Sequence, residues 1–291
     1  MIIDCHAHIG QPMTGFWQPL RTGKIQDHGQ IIQFFPPAFD PTASPPEVLL
    51  AHMDWAGVDR TSLVQHHNYG DQNALVIDTL KKWPDRFAGF AYLGRMDQPD
   101  APDQLERLVE SGMTGLKVEL TSTRRLRADF RFDGEREQRI WERLDHLKRP
   151  LVLDVNDGTP DDSRAISQML QDFPNLHVVI CHVGGPPREG WQERALPAKH
   201  PRGWIDISGL PLVFGYDDDY PYRQAREVIR WAVDTFGADR VMWGTDYPVT
   251  LNYGTYRQLL EYVSRHCDFL TDAQKDAIIG GNADRFLKTF A

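Results

Sequence analysis

Short apolar runs, many of them rich in β-branched residues, alternate along the chain with longer segments of helical periodicity. Runs of roughly four to eight residues that are bounded by polar or turn-forming residues are typical of buried strands rather than buried helices. We predict strands at residues 2–8, 60–66, 87–93, 115–120, 151–156, 177–182, 204–208 and 241–246. Strands and helices therefore alternate through the whole sequence.

Amphipathic segments with identifiable ends separate these strands. The segment 44–47, Ser-Pro-Pro-Glu, has the pattern of a capping box with proline at the first helical position, and Gly57 is placed to end that helix. Thr271, with Gln274 three residues later, predicts another capped start. The other helical patterns cover residues 102–110, 135–148, 162–173, 222–236 and 255–266.

Eight strand–helix units without a break in composition predict an α/β fold, a (β/α)8 TIM barrel forming a single domain over residues 1–291. The alternative is an open, doubly wound sheet. Such sheets bind dinucleotides at a glycine-rich turn after the first strand, and no Gly-x-Gly-x-x-Gly pattern follows residues 2–8. The sequence therefore favours the closed barrel.

The connection between the first strand and the first helix, residues 9–43, is much longer than an ordinary strand–helix loop. Its aromatic residues are Phe16, Trp17, Phe34, Phe35 and Phe39. Aromatic side chains favour an ordered segment that packs on the barrel. We predict a lid-like loop over the barrel mouth, with a flap that only packs against the barrel as the alternative.

Composition argues against several classes of protein. The 291 residues carry a formal net charge of −9 without a Lys/Arg stripe, which argues against nucleic acid and membrane surfaces as partners. No stretch approaches the roughly 20 apolar residues of a membrane span, and the first residues show no signal-peptide pattern. The three cysteines form no disulfide or zinc-finger pattern. We expect a cytoplasmic protein with a small-molecule substrate, and Trp-rich loops and long helices are compatible with a homodimer.

Candidate chemistry begins in the first strand. Successive side chains of a strand alternate between its faces, so His6 and His8 point the same way, with Asp4 one step below them. Two imidazoles at the end of one strand can bind a single divalent cation of the zinc type.

Other predicted strands also end in polar or ionisable side chains. In a TIM barrel the active site forms at the carboxyl ends of the strands, so these side chains should meet. They are His66 with His67 and Asn68, then Lys117, Glu119, Asp154, Asn156, His182 and Asp246. Lys117 is placed either to bind a substrate carboxylate or to pair with Glu119, and His66 and Asn156 are further candidates for substrate contact.

Four short motifs carry a resemblance to a known family. They are Asp-Cys-His-Ala-His-Ile-Gly at residues 4–10, Cys-His-Val-Gly-Gly at 181–185, Trp-Gly-Thr-Asp-Tyr-Pro at 243–248 and Gly-Asn-Ala-Asp-Arg-Phe at 281–286. In this order, they resemble the amidohydrolase superfamily, and more closely the branch of aminocarboxymuconate semialdehyde decarboxylase and related metal-dependent hydrolases. The resemblance extends over nearly the whole chain.

The resemblance implies a role for each matching residue. It implies that His6, His8 and Asp246 bind one divalent metal ion, usually zinc, and that His182 is a catalytic histidine beside it. The fifth strand of metal-binding members normally supplies a further histidine ligand, whereas this chain has Asp154 there. A carboxylate can ligate zinc or manganese, but it makes the metal a weaker Lewis acid. Because the similar lactonases work without metal, a metal-free site remains the alternative.

The leading functional hypothesis is a metal-dependent hydrolase that attacks a C–O or C–N bond of a small carbonyl substrate with metal-activated water. Asp246 would take the proton from that water and His182 would stabilise the oxyanion. The alternatives are a non-oxidative decarboxylase of an unsaturated carboxylic acid, a metal-independent lactonase, and an inactive barrel that binds a small ligand.

Overall fold

The computed structural model describes residues 1–65 and 67–290, in which strands alternate with helices. The strands are β1 (Ile3–Ala7), β2 (Gln18–Pro19), β3 (Lys24–Asp27), β4 (Gln30–Gln33), β5 (Arg60–Leu63), β6 (Phe87–Ala91), β7 (Gly115–Glu119), β8 (Leu151–Asp154), β9 (Val178–Ile180), β10 (Gly203–Asp206) and β11 (Val241–Met242). The longer helices are α1 (Pro46–Ala56), α2 (Asn73–Lys82), α3 (Ala101–Glu110), α4 (Leu120–Leu126), α5 (Glu135–Leu147) and α6 (Pro160–Asp172) in the first part of the chain. They are followed by α7 (Trp191–Ala195), α8 (Leu210–Phe214), α9 (Arg223–Phe236), α10 (Tyr256–Ser264), α11 (Asp272–Asp276) and α12 (Asn282–Lys288).

Eight of the described strands form one parallel sheet in the order β1-β5-β6-β7-β8-β9-β10-β11. The last strand returns to the first, because the segment after β11 bonds to β1. The N–H of Cys5 donates to the Trp243 carbonyl at 3.0 Å, and the N–H of Asp246 donates to the His6 carbonyl at 2.8 Å. These bonds close the sheet into the predicted (β/α)8 barrel. Within the described residues, no helix combines the length and apolarity needed to cross a membrane.

The eight predicted barrel strands are confirmed, although the observed strands are shorter at their ends. Gly57 ends α1 in the left-handed conformation, with φ of 76°, and Thr271 begins α11 with a complete capping box, as predicted. The prediction of a capping box at Ser44 is wrong. Helix α1 begins after Pro45 without a side-chain cap, because the Ser44 hydroxyl donates to the His8 carbonyl instead.

Alternation along the strands separates an inner from an outer core. Val152, Val179 and Met242 belong to a cluster of buried side chains contributed by the strands and by α12, which we assign to the barrel interior. Leu116 and Val118 of β7 belong instead to the larger cluster that includes the helices. Because strand side chains alternate, Lys117 must point into the barrel.

The long connection after β1 is ordered and carries β2, β3 and β4, which form a small antiparallel sheet. Hydrogen bonds on two sides hold this segment to the barrel. Arg125 of α4 donates to Asp27 at 2.9 Å, and the Asn252 amide donates to the Phe34 carbonyl at 2.7 Å. The lid-like loop predicted for residues 9–43 is therefore a small sheet at the barrel mouth.

Asp4 joins the first and last strands of the barrel below the site. This fully buried carboxylate accepts hydrogen bonds from the backbone N–H groups of His6 and Thr245, from the Thr245 hydroxyl at 2.5 Å and from the Tyr256 hydroxyl at 2.7 Å. The register of β1 against β5 shifts between Asp4 and Ala7. Asp4 thus bonds to the segment after β11 and to α10, and it connects the strand of His6 with the strand that leads to Asp246.

We expect Asp4→Ala to lower the free energy of unfolding by about 3 kcal/mol or more, because it leaves four buried donors without an acceptor. Asp4→Asn keeps one acceptor oxygen, and the two hydroxyls can rotate to accept from the new amide, so its loss should be about 1 kcal/mol. Urea unfolding followed by circular dichroism measures both. Equal losses for the two variants would contradict the assignment of Asp4 as a hydrogen-bond acceptor hub.

Candidate functional site

A cavity of about 350 Å³ opens at the carboxyl ends of the barrel strands. Its wall includes the predicted site residues His6, His8, Lys117, Asp154, Asn156, His182 and Asp246, together with Asn68 and Glu119. His67, which the sequence also placed among the strand-end groups, does not line this cavity and bonds instead to Tyr92 and Thr123. Trp17, Asp27 and Phe34 of the connection after β1 complete its mouth. The remaining predicted contact, His66, lies outside the described residues, so its role stays a prediction.

His6, His8 and Asp246 converge at the base of this cavity. The distance from His8 Nε2 to Asp246 Oδ1 is 3.0 Å, and the distance from His6 Nε2 to the same oxygen is 3.7 Å. One candidate ligand atom from each of the three residues lies within 4.8 Å of the others. The same-face geometry predicted for His6 and His8 thus brings both imidazoles to one carboxylate.

The Nδ1 atoms of the His6 and His8 rings already make hydrogen bonds within the protein. His6 Nδ1 donates to Asp206 Oδ2 at 2.8 Å, and His8 Nδ1 donates to the Val64 carbonyl at 2.7 Å. A neutral imidazole carries one hydrogen, so each Nε2 then presents a lone pair. The His8 lone pair and an ionised Asp246 oxygen repel each other at 3.0 Å unless a proton or a metal cation lies between them. The donor set is suited to a cation.

Burial and neighbouring charges set the protonation of this group. Burial, helped by the Lys117 ammonium, lowers the pKa of His6 to about 4, which leaves a neutral imidazole at pH 7. Burial opposes ionisation of Asp246, but the polar contact with His8 and the charge of His182 outweigh burial and hold the pKa of that carboxyl well below its usual range. Neutral imidazole and ionised carboxylate are the forms that bind metals.

A second metal-binding combination is possible in principle, because His6, Cys181 and Asp206 also bring one ligand atom each within 4.8 Å of one another. There, however, His6 Nδ1 is bonded to Asp206, and Cys181 Sγ accepts a hydrogen bond from Lys117 Nζ at 3.0 Å. A cation at that point would meet the ammonium of Lys117. The group formed by His6, His8 and Asp246 opens into the cavity and fits a divalent cation better.

His182 stands beside this group, with its ring centroid 4.8 Å from that of His6. Its Nδ1 donates to the Ser208 carbonyl at 2.9 Å and lies 3.0 Å from Ser208 Oγ. Its Nε2 lies 3.6 Å from Asp154 Oδ2. Burial lowers the pKa of His182, but the carboxylates of Asp246, Asp154 and Asp206 outweigh burial and raise it above its ordinary value.

Asp154 therefore faces His182 and lies outside the close group of His6, His8 and Asp246. Its predicted role as a metal ligand stays a prediction. The arrangement gives it a second possible role, since a carboxylate beside an imidazole favours the protonated ring.

Sequence reasoning missed Asp206, a buried residue that bonds to both His6 and the backbone of His182. The signal was present, because β10 is an apolar run that ends at this carboxylate. The predicted strand, however, continued to Ser208, which placed Asp206 in its middle. Trimming the strand by two residues would have put Asp206 among the strand-end candidates.

Lys117 and Glu119 do not form the ion pair that the sequence left open. Lys117 Nζ donates to the sulfur of Cys181, whereas both Glu119 oxygens accept backbone N–H groups at the start of α4, from Thr121 at 2.9 Å and Ser122 at 2.8 Å. Burial works against the charge of Lys117, but the Cys181 sulfur and Asp154 raise the pKa of its ammonium. Lys117 is a buried cation in the cavity wall whose hydrogen bond, among the described residues, goes to a thiol.

Asn156 lines the cavity, and its buried Oδ1 has no hydrogen-bond partner among the described residues. Two arginines reach the mouth of the cavity, and both are paired. Arg125 contacts Asp27, and Arg188 lies 2.5 Å from Asp157. The mouth is consequently polar without an unpaired positive charge from these two residues.

The backbone of the site is strained where it carries the functional groups. His182, Val183 and Asp246 have φ of 53°, 52° and 61°, in the left-handed region that L-residues with a Cβ seldom adopt. Gly209, with φ of 68°, packs against two of these residues. A Cβ at this position would lie 3.0 Å from both Asp246 Oδ2 and His182 Nδ1. The site therefore requires glycine at position 209.

The chain belongs to the amidohydrolase family, because the family model described as Amidohydrolase matches residues 3–289. An L-fucono-1,5-lactonase of Burkholderia ambifaria is 27% identical over 98% of this chain and 95% of the relative. A gamma-resorcylate decarboxylase of Polaromonas sp. is 24% identical over 74% of each chain. The relatives of this chain therefore include both a hydrolase and a carboxy-lyase. This chain is an enzyme of the amidohydrolase family.

Solved structures agree on the fold. An amidohydrolase from Burkholderia multivorans with bound zinc superimposes with a TM-score of 0.72, at 19% identity and covering 99% of both chains. At this identity the likeness supports the barrel architecture alone.

We expect Gly209→Ala to weaken zinc binding by about 10- to 100-fold, the effect typical of a disturbed ligand environment. The new methyl group would displace the Asp246 carboxylate and the His182 ring. Competition with a chromophoric chelator measures the affinity. Gly57→Ala is the matched control, because Gly57 also has positive φ, 76°, and has no neighbouring atom within 4 Å of the added Cβ. Equal zinc affinities in the two variants would contradict the close packing around Gly209.

Proposed function

We propose that this enzyme hydrolyses the ring ester of a small, polyhydroxylated lactone, with one divalent cation, zinc by preference, bound by His6, His8 and Asp246. The convergence of two imidazole lone pairs on one buried carboxylate oxygen carries the proposal. Two nitrogens and one carboxylate oxygen are a ligand set that zinc accepts readily, with room for a further oxygen ligand from the cavity.

When bound there, the cation would acidify a water molecule and polarise the ester carbonyl. Asp246 would accept the proton of the attacking water and return it to the ring oxygen as the acyl C–O bond breaks, giving a hydroxy acid. Its low pKa keeps it ionised, and therefore able to accept a proton, at every pH at which the protein would be assayed. One water is consumed and one ring opens for each turnover.

His182 would stabilise the oxyanion that develops on the carbonyl oxygen when water adds to the carbonyl carbon. Since its Nδ1 is held by Ser208, its Nε2 is the atom available to the cavity. The carboxylates that raise the pKa of His182 favour the imidazolium, which donates a stronger hydrogen bond to developing negative charge than the neutral ring does.

The cavity wall supports a neutral, hydroxyl-rich substrate. Arg125 and Arg188 are neutralised by Asp27 and Asp157, which disfavours a substrate held by free arginines at the mouth. The Asn156 side chain lines the cavity, where its amide can hydrogen-bond to a substrate hydroxyl. The whole-chain similarity to an L-fucono-1,5-lactonase adds support for a sugar lactone.

Decarboxylation is the second candidate, and Lys117 is the observation that favours it. A buried ammonium whose described hydrogen bond goes only to a thiol is suited to a substrate carboxylate. The similarity to a gamma-resorcylate decarboxylase is consistent with this role. Release of carbon dioxide without consumption of water would distinguish this reaction from lactone hydrolysis.

The deciding experiment combines elemental analysis with turnover. We expect about one zinc or manganese per chain and hydrolysis of sugar lactones, including L-fucono-1,5-lactone, measured by proton release. A His6→Ala/His8→Ala variant should lose both the metal and at least about 100-fold in turnover, because the water then loses its Lewis acid.

Two results would change the proposal. Turnover that survives exhaustive chelation would establish the metal-independent lactonase instead. Carbon dioxide release from hydroxybenzoates, with no lactone opened, would establish the carboxy-lyase. The inactive-barrel alternative requires a lactone or acid that raises the melting temperature without being converted.

The role of His182 also predicts a pH profile. Because the protonated ring is the active form, turnover should fall as the pH rises through the pKa of His182, which lies above its ordinary value of 6.5. Asp154→Asn removes one of the carboxylates that raise this pKa, so the alkaline limb should move to lower pH. Arg188→Gln is the control, since it changes a charge at the mouth that is already paired. An unchanged limb in Asp154→Asn would refute the protonated His182.

A further inference from the structure

The Asp206 side chain accepts four hydrogen bonds from described residues of the site. Its Oδ2 accepts from His6 Nδ1 at 2.8 Å. Its Oδ1 accepts from the backbone N–H of His182 at 3.1 Å, from the backbone N–H of Ser208 at 2.9 Å and from the Ser208 hydroxyl at 2.5 Å. The residue is 1% exposed, so these donors, rather than water, satisfy the carboxylate.

The bond to His6 decides where that ring carries its hydrogen. A carboxylate without a proton only accepts, so His6 must hold its hydrogen on Nδ1 and present the Nε2 lone pair. That lone pair faces Asp246 Oδ1 at 3.7 Å, in the proposed cation position. If the hydrogen moved to Nε2, it would occupy that position.

The other oxygen acts on His182 by two routes. The bond to the His182 N–H holds the backbone of a residue with φ of 53°, a left-handed conformation that residues with a Cβ seldom adopt without support. The bond from the Ser208 hydroxyl uses the only hydrogen of that group, so Ser208 Oγ can only accept from His182 Nδ1. Both acceptors of Ser208 thus keep the hydrogen of His182 on Nδ1 and leave Nε2 toward the cavity.

We propose that Asp206 is a positioning residue that fixes the tautomer of His6 and the orientation of His182 with a single carboxylate. It touches neither substrate nor the proposed cation and acts through these two rings and Ser208. The inference rests on the proposed function for its meaning, because the His6 tautomer matters to a cation and the His182 orientation to an oxyanion. The hydrogen-bond assignment itself does not depend on the substrate.

Asp206→Asn offers a sharp test because it changes one acceptor into a donor. Three donors surround Oδ1, so the amide oxygen should take that place and the amide nitrogen should face His6 Nδ1. Two donors cannot share a hydrogen bond, so His6 should move its hydrogen to Nε2. Zinc affinity should then fall by about 10- to 100-fold.

The experiment uses the metal-free, full-length protein and its ¹⁵N-labelled imidazoles. Two-bond ¹H–¹⁵N spectra report the tautomer of each ring, and titration with zinc against a chromophoric chelator reports affinity. We expect Nδ1–H on His6 in the wild type and Nε2–H in Asp206→Asn. Asp4→Asn is the matched control, because Asp4 is an equally buried carboxylate that contacts the His6 backbone but no imidazole ring. It should keep the wild-type tautomer.

Ser208→Ala separates the effect of Asp206 on the His6 tautomer from its effect on the orientation of His182. It leaves Asp206 on His6, so zinc affinity should stay near the wild-type value, whereas the turnover number should fall several-fold with little change in KM because His182 loses one acceptor. A variant with a general folding defect would lower both the zinc affinity and the turnover number.

Three outcomes would overturn the proposal: a wild-type His6 with its hydrogen on Nε2, an Asp206→Asn protein that keeps both the tautomer and the zinc affinity, or an equal change in Asp4→Asn. The wild-type spectrum decides even if Asp206→Asn fails to fold. Absence of lactone hydrolysis alongside the expected tautomers would reject the proposed function and leave the assignment of Asp206 intact.

Discussion

Three imidazoles share the bottom of this cavity because the Nδ1 hydrogen of each one is bonded to a fixed acceptor. His6 bonds to Asp206, His8 to the Val64 carbonyl and His182 to the Ser208 carbonyl. With the hydrogens held away from the cavity, the Nε2 atoms face inward. Buried polar groups are costly unless they are paired, and here the pairing also determines which atom of each ring is available for chemistry. The rest of the site depends on this arrangement.

Much of the fold could be predicted from the sequence because barrel strands are short apolar runs with distinct borders. The same regularity revealed His6, His8, His182 and Asp246, each of which ends or follows such a run. The role of Ser44 could not be predicted correctly from the local sequence. A serine before a helix can bond to any nearby partner, and here its hydroxyl donates to the carbonyl of His8, 36 positions earlier in the chain. The strands of the long connection escaped detection, since β2 to β4 are two to four residues long and mostly exposed.

The parts of the site that the sequence concealed are those that act through other residues. Asp206 ends an apolar run as the cavity residues do, but no local pattern shows that it bonds to a histidine 200 positions away. Gly209 is required by the two side chains that close around it, which is a property of tertiary packing. Residues that face the cavity follow the period of the strand, whereas residues that support them follow the geometry of the closed barrel.

The contact between His8 and Asp246 joins positions separated by 238 residues. During synthesis the two histidines of the first strand emerge from the ribosome long before the carboxylate that completes their group. The cation proposed for this group would meet only two of its three ligands until the last strand had docked against the first. Loading of that cation would then be a late event in the life of the chain, coupled to closure of the barrel.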